Sequence, residues 1–278
     1  MGLFPFGKDY SKEGPGVEKD TPRKTGIPRF FEVVGRDLTG MFLANFFTCL
    51  SALPAICLVT VGLLGRSLVV MLAGAVIGGA IAGPFLAGTY DTVLRALRDE
   101  PGYWWATYRR AFRQNWKSSI LPGILYTLVV TFQIYILYFC LSTAAQGGSV
   151  GTGMWVAAIL NLLVFHMLFT YMWPQVVLLK QPFHQTLANS LLCMLGFLPH
   201  ALAASVIQIV FWGIVILTMP LGVILMVLLG FWFASEICCQ MIAGDLERVF
   251  HVEAQIRAQK DAELARALAE EDQDSPGE

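Results

Sequence analysis

Residues 68–94 read LVVMLAGAVIGGAIAGPFLAGTYDTVL, with no charged side chain before Asp91. A helix needs roughly 20 apolar residues to cross a hydrocarbon core about 30 Å thick, so this stretch is long enough to span a bilayer. Gly74, Gly78 and Ala82 recur every four positions, as do Gly79 and Gly83. In lipid, small residues at that spacing let two helix backbones approach closely, and Gly74, Gly78 and Gly83 are expected to line a packing seam. Working outward, five further runs qualify as spans: about 38–63, 120–141, 153–179, 197–217 and 220–243. The fold class is therefore all-α, a polytopic membrane protein with about six transmembrane helices.

The connections set the orientation. Of 19 Lys and Arg residues, seven precede the first run, six lie between the second and third, Lys180 follows the fourth, and four follow the sixth. Arg66 stands alone on the opposite side. By the positive-inside rule both termini of this multi-pass chain are cytosolic. Residues 1–29 read as a cytosolic arm, 30–245 as the transmembrane domain, and 246–278 as a cytosolic helical tail ending in the acidic run Glu270-Glu271-Asp272. A weak repeat, Phe30 with Asp37-Leu38, Phe112 with Ser119-Ile120-Leu121 and Phe183 with Ser190-Leu191-Leu192, suggests three helical hairpins of similar design.

Composition agrees with a membrane class. Apolar residues make up 56% and charged residues 14%, where soluble domains carry about a quarter charged. The six cysteines lie in apolar runs without metal-ligand spacing and read as buried packing thiols. No phosphate-binding glycine loop, dinucleotide turn, HExxH or serine elbow occurs, so an enzyme, a metal and a cofactor all lack positive evidence.

Two constellations stand out. Trp105, Tyr108, Phe112 and Trp116 recur at helical spacing beside a second stripe, Arg109, Arg113 and Lys117. An aromatic face next to a basic stripe describes a cytosolic interfacial helix near 101–118, either touching anionic lipid headgroups or docking a protein partner. Nucleic acid does not fit so short a segment. Within the runs, Asn45, His166 and Glu236 form a candidate intramembrane polar site, because polar groups in lipid must find partners. Glu236 reads either as a proton- or cation-binding carboxylate hydrogen-bonded by Asn45, or as a neutral glutamate fastening helices; it shares a helical face with Gln240 and Glu247. His166 reads as a packed histidine or a ligand. Asp91 and Arg95, four apart, read as a surface pair.

Several of these residues carry a resemblance. Phe30-Phe31-Glu32-Val33-Val34-Gly35-Arg36, Asn45, Leu53-Pro54, Gly83-Pro84, Arg95, Arg98-Asp99-Glu100 and Phe112-Arg113-Gln114-Asn115-Trp116-Lys117-Ser118 together resemble the YesL-like family of bacterial integral membrane proteins of unknown function. The resemblance is clearest over residues 30–120. The chain departs from the family pattern after Leu53-Pro54, where the Gly-Pro element is delayed to Gly83-Pro84. Such proteins are often encoded beside carbohydrate-uptake ABC transporters, so the resemblance implies an accessory role in solute uptake with ABC permease subunits as partners, or self-association. The alternatives are a stand-alone small-solute or ion-coupled transporter, and a membrane scaffold or sensor.

Overall fold

The computed structural model describes residues 24–100, 102–258 and 262, and these form helices and short connections without strands. The expectations for residues 1–23 and for the acidic run at 270–272 lie outside the described residues. Eight helices follow in order: α1 (Ile27–Leu64), α2 (Leu68–Leu97), α3 (Trp104–Ala145), α4 (Thr152–Leu178), α5 (Phe183–Gly196), α6 (Leu198–Leu217), α7 (Leu221–Leu228) and α8 (Gly230–Phe250). Helices α1, α2, α3, α4 and α6 are each long and apolar enough to cross a membrane, and α7 with α8 makes a sixth span bent by 54°. The chain is a polytopic all-α membrane protein. Its outward surface is apolar over most of its height: Val69, Ile77, Phe132, Leu160, Val210 and Ile224 all face outward. A water-facing surface does not carry so continuous an apolar covering.

Helix α2 is the centre of the bundle because its glycines leave room for two neighbours. A Cβ at Gly74 would run into Leu58 and Val59, and one at Gly78 into Ala55, so this face lies against α1. Gly79 and Gly83 face the other way, where a Cβ would meet Thr127, Gly123 and Ser119 of α3. The two four-residue repeats are thus two seams, one for each neighbour. Thr127 Oγ1 spans the second seam and donates to Ala75 O at 2.7 Å. The result is a closely packed triplet α1–α2–α3, with α4 and α8 laid against it and α6 packed on α4 and α8. The helices group around α2 and not as three equivalent hairpin pairs, because α2 meets α3 as intimately as it meets α1.

Two interior cores follow. One gathers Val33, Met41, Leu86, Tyr90, Met172, Trp173, Trp232 and Cys239 from α1, α2, α4 and α8. The other joins Tyr171, Cys193, Met194, Ile242, Leu246 and Val252. Helix α8 continues unbroken across position 245, so the expected boundary between the membrane domain and the tail cuts through a packed helix. Val252, just past the left-handed turn at His251 (φ 48°), folds back onto the second core.

Two spans differ from the sequence reading. Helix α3 is one unbroken helix of 42 residues, about 63 Å long, with Pro122 inside it. The segment 101–118 is therefore not a separate interfacial helix: its helical part, from Trp104, is the first third of α3, held there by α1 and α2. The sixth run breaks at Leu229, between α7 and α8, at a glycine with positive φ, Gly230.

Candidate functional site

Asn45 accounts for that break. At a helix break, the last carbonyls of one segment and the first N–H groups of the next lack helical partners. Asn45, 0% exposed on α1, supplies both. Its Nδ2 donates to Met226 O at 3.0 Å and Val227 O at 2.8 Å. Its Oδ1 accepts from Phe231 N at 2.7 Å. A Cβ at position 230 would press on the Asn45 amide, so a glycine stands where the amide enters. Asn45 is not bonded to Glu236, as one of the two sequence readings had it; its side chain is engaged by the α7–α8 backbone, from Met226 to Phe231.

His166, on α4, faces α6. Its Nδ1 lies 3.4 Å from Gln208 Oε1, while Gln208 Nε2 donates to Thr170 Oγ1 at 2.7 Å and to Cys238 Sγ at 3.1 Å. This polar ladder joins α4, α6 and α8 in the interior. The three candidates Asn45, His166 and Glu236 thus lie in separate surroundings and do not form one site.

Glu236 has the least provision of the three. It is 0% exposed, and neither carboxyl oxygen has a hydrogen-bond partner among the described residues. Phe233, Glu236 and Gln240 lie at steps of three and four, on one face of α8. That face meets the first turn of α1: the Phe233 ring is 5.7 Å from Phe30, and Gln240 Nε2 donates to Gly26 O at 2.7 Å.

Arg29 sits in the same first turn, buried, and reaches across to the end of α2. It donates to Leu97 O at 2.8 Å and to the Asp99 carboxylate at 2.8 and 2.9 Å. Arg36, two turns along α1, grips Asp99 and Ala96 O from the same side. Two arginines seven residues apart thus clasp the C-terminal carbonyls of α2 and the acid that follows it, which suits the negative end of a helix. Asp99 has a left-handed backbone (φ 57°), and this turns its side chain back toward α1. Burial raises its carboxyl, but hydrogen bonds and charge from Arg29 and Arg36 outweigh that and hold it below the usual carboxylate range. Asp91 and Arg95 pair at 2.6 Å as the spacing suggests, yet Asp91 is buried and the pair continues to Glu100. It is an internal pair because α2 is enclosed even at its end.

The aromatic–basic segment divides. Tyr108 is buried, closing on Gly88, whose Cβ would overlap its ring, and stacking near Trp104 at 5.1 Å and Phe47 at 6.0 Å. Its hydroxyl has no hydrogen-bond partner among the described residues. Phe112 turns in on Phe85 at 4.9 Å. Trp105 and Trp116 remain exposed, as do Arg109, Arg113 and Lys117, whose ammonium lies 5.5 Å from the Trp116 ring centroid. Half of the expected aromatic face is therefore packing; the other half, with the cations, points outward.

Sequence reasoning missed one cluster. Asp245, buried near the end of α8, accepts from Tyr171 Oη at 2.8 Å and lies 2.9 Å from His200 Nδ1 at the start of α6. Its members are far apart in sequence and carry no spacing signal. Burial, followed by the Asp245 charge, pushes the nearby Cys193 thiol up to about 11. Cys57, expected to be buried, faces outward; the other five cysteines are buried. No group of three or more metal-ligating side chains occurs among the described residues.

No curated protein and no solved structure matches this chain. Residues 46–139, running from within α1 through most of α3, match the model of a protein family of unknown function, DUF624.

Proposed function

We propose that this chain is a YesL-like accessory component of solute uptake in the bacterial cytoplasmic membrane, with both termini cytosolic and a carbohydrate as the transported class. The observation that carries the docking part is the outward row on the first third of α3: Trp105, Arg109, Arg113, Trp116 and Lys117 are exposed while Tyr108 and Phe112 hold that segment against α1 and α2. Tyr108 and Phe112 seat the segment, while Arg109, Arg113, Lys117 and the outer parts of Trp105 and Trp116 are exposed, which suits a surface for an ABC permease subunit. Two of the polar side chains inside the spans are taken up by the bundle itself, Asn45 by the α7–α8 break and Gln208 by its neighbours, which favours an accessory over a conduit. No catalytic role enters this reading.

Cross-linking native membranes with a tagged chain, followed by mass spectrometry, tests it. The expected result is recovery of specific permease subunits from wild type and their loss from an R109A/R113A/K117A variant. A homo-oligomer without partners, or unchanged recovery from the variant, overturns the reading.

A second reading, an ion-coupled transporter, is favoured by one observation: Glu236 is a fully enclosed carboxyl without a hydrogen-bond partner among the described residues. Equal solute flux in liposomes bearing wild type, Glu236→Gln or no protein rejects it for the solutes tried.

A further inference from the structure

We propose that Glu236 is a proton-binding site whose charge state governs the hold of Arg29 on Asp99. The proposal deepens the second reading at its site but requires no solute flux.

The geometry begins with the face of α8 that carries Phe233, Glu236 and Gln240. Contacts of Phe233 with Phe30 and of Gln240 with Gly26 press this face on the first turn of α1, where Arg29 resides. An ionised carboxylate removed from water and given no donor is costly to bury, whereas the neutral acid is not. Among the described residues neither Glu236 oxygen meets a donor, and the residue is 0% exposed, so the arrangement suits the protonated form. The cation whose field reaches Glu236 is Arg29, and in this state its guanidinium is committed to Leu97 O, Asp99 and Glu32.

The other titratable groups nearby do not replace it. Cys238 and Cys239 lie on the same helix as Glu236, Tyr90 of α2 stands beside those thiols, and the charge of Arg98, past the end of α2, reaches Cys239. His166 on α4 is turned to Gln208, and His200 on α6 to Asp245.

Proton loss is a simple transfer: the carboxyl O–H bond breaks, the proton passes to water, and the electron pair stays on Glu236. The new carboxylate then competes with Asp99 for the same guanidinium. An Arg with five donors can turn toward it, loosening its own grip on Asp99 and leaving the start of α1 less firmly joined to the end of α2. The clasp thus carries a proton-dependent release, with Glu236 as the proton site and Arg29 as the moving part.

Infrared spectroscopy of the full chain in lipid nanodiscs tests the site. The expected result is a protonated-carboxyl C=O band at neutral pH that shifts in D2O, is lost on raising the pH, is missing from E236Q and persists in D91N. Absence of the band in wild type, or its full retention in E236Q, overturns the proposal. Spin labels at the exposed positions Phe31 and Tyr103 test the coupling: their distance distribution should widen in wild type over the pH range in which the band disappears, and stay constant in E236Q. A distribution that ignores the band also overturns it, and the wild-type titration alone suffices if E236Q does not fold. Proton or solute flux in liposomes is scored separately: a band without flux sinks the transport reading and leaves the site, while flux without a band does the reverse.

Discussion

The Asn45 side chain accepts a hydrogen bond from Phe231 N at 2.7 Å, across 186 residues of sequence. With its amide on Met226 O and Val227 O, one side chain of α1 closes both sides of the break between α7 and α8. The sixth span can bend by 54° inside the bundle because its freed backbone groups are met there.

Replacing Asn45 by Ala takes the side-chain partner from Val227 O and Phe231 N and leaves Met226 O only its long contact with Cys49 Sγ. Each orphaned group costs about 1–3 kcal/mol, and some relaxation is available, so the loss should be about 2–4 kcal/mol. The midpoint of thermal unfolding in nanodiscs should fall well below wild type. An unchanged midpoint contradicts the capping role.

The glycine seams predict opposite outcomes at different glycines. Gly78→Ala and Gly79→Ala drive a methyl into the α1 and α3 backbones, and overpacking of that kind costs about 1–3 kcal/mol. Gly35, in α1, has nothing within 4 Å of the Cβ position, so Gly35→Ala should be neutral or raise stability by up to about 1 kcal/mol. Comparing the three unfolding midpoints in one detergent checks the contrast; similar shifts at all three argue against the seams.

Asp99 sets a pH dependence. Its carboxyl is held below the ordinary value by Arg29 and Arg36, so the folded state binds this proton less readily than the unfolded chain. The stabilisation is present above the unfolded value of about 3.9 and is lost as pH falls through the lower folded value. Stability curves for wild type and Asp99→Asn should therefore differ near neutrality and converge in acid. Parallel curves across that range reject the clasp as a stabilising contact.

The divided aromatic segment separates fold from docking. Tyr108→Ala empties a buried site against Gly88 and should cost about 3–5 kcal/mol, as large aromatic truncations do. Arg109→Ala and Lys117→Ala alter exposed positions and should stay within about 0.5 kcal/mol of wild type. Unfolding midpoints decide this, and a large loss from Arg109→Ala shows that the outward row is structural.

Residues 68–94 by themselves determined that α2 is a span and a packing element, because length, apolarity and glycine spacing are local properties of a chain in lipid. The same local logic placed α4 and α6 to within a residue and paired Asp91 with Arg95, but it started α1 and α3 well inside the observed helices. It did not show that Gly78 and Gly79 serve different neighbours, since adjacent positions on a helix point some 100° apart and only assembly decides what lies on each side. It offered Asn45 as a partner for Glu236 by depth alone, whereas the tertiary structure gives Asn45 to the α7–α8 break and lays the Glu236 face of α8 on the first turn of α1. Hydrophobic period and charge asymmetry record how each segment meets the bilayer. Which polar side chain meets which is settled by helix contacts between residues as far apart as Asn45 and Phe231, and those contacts leave no periodic trace in the sequence.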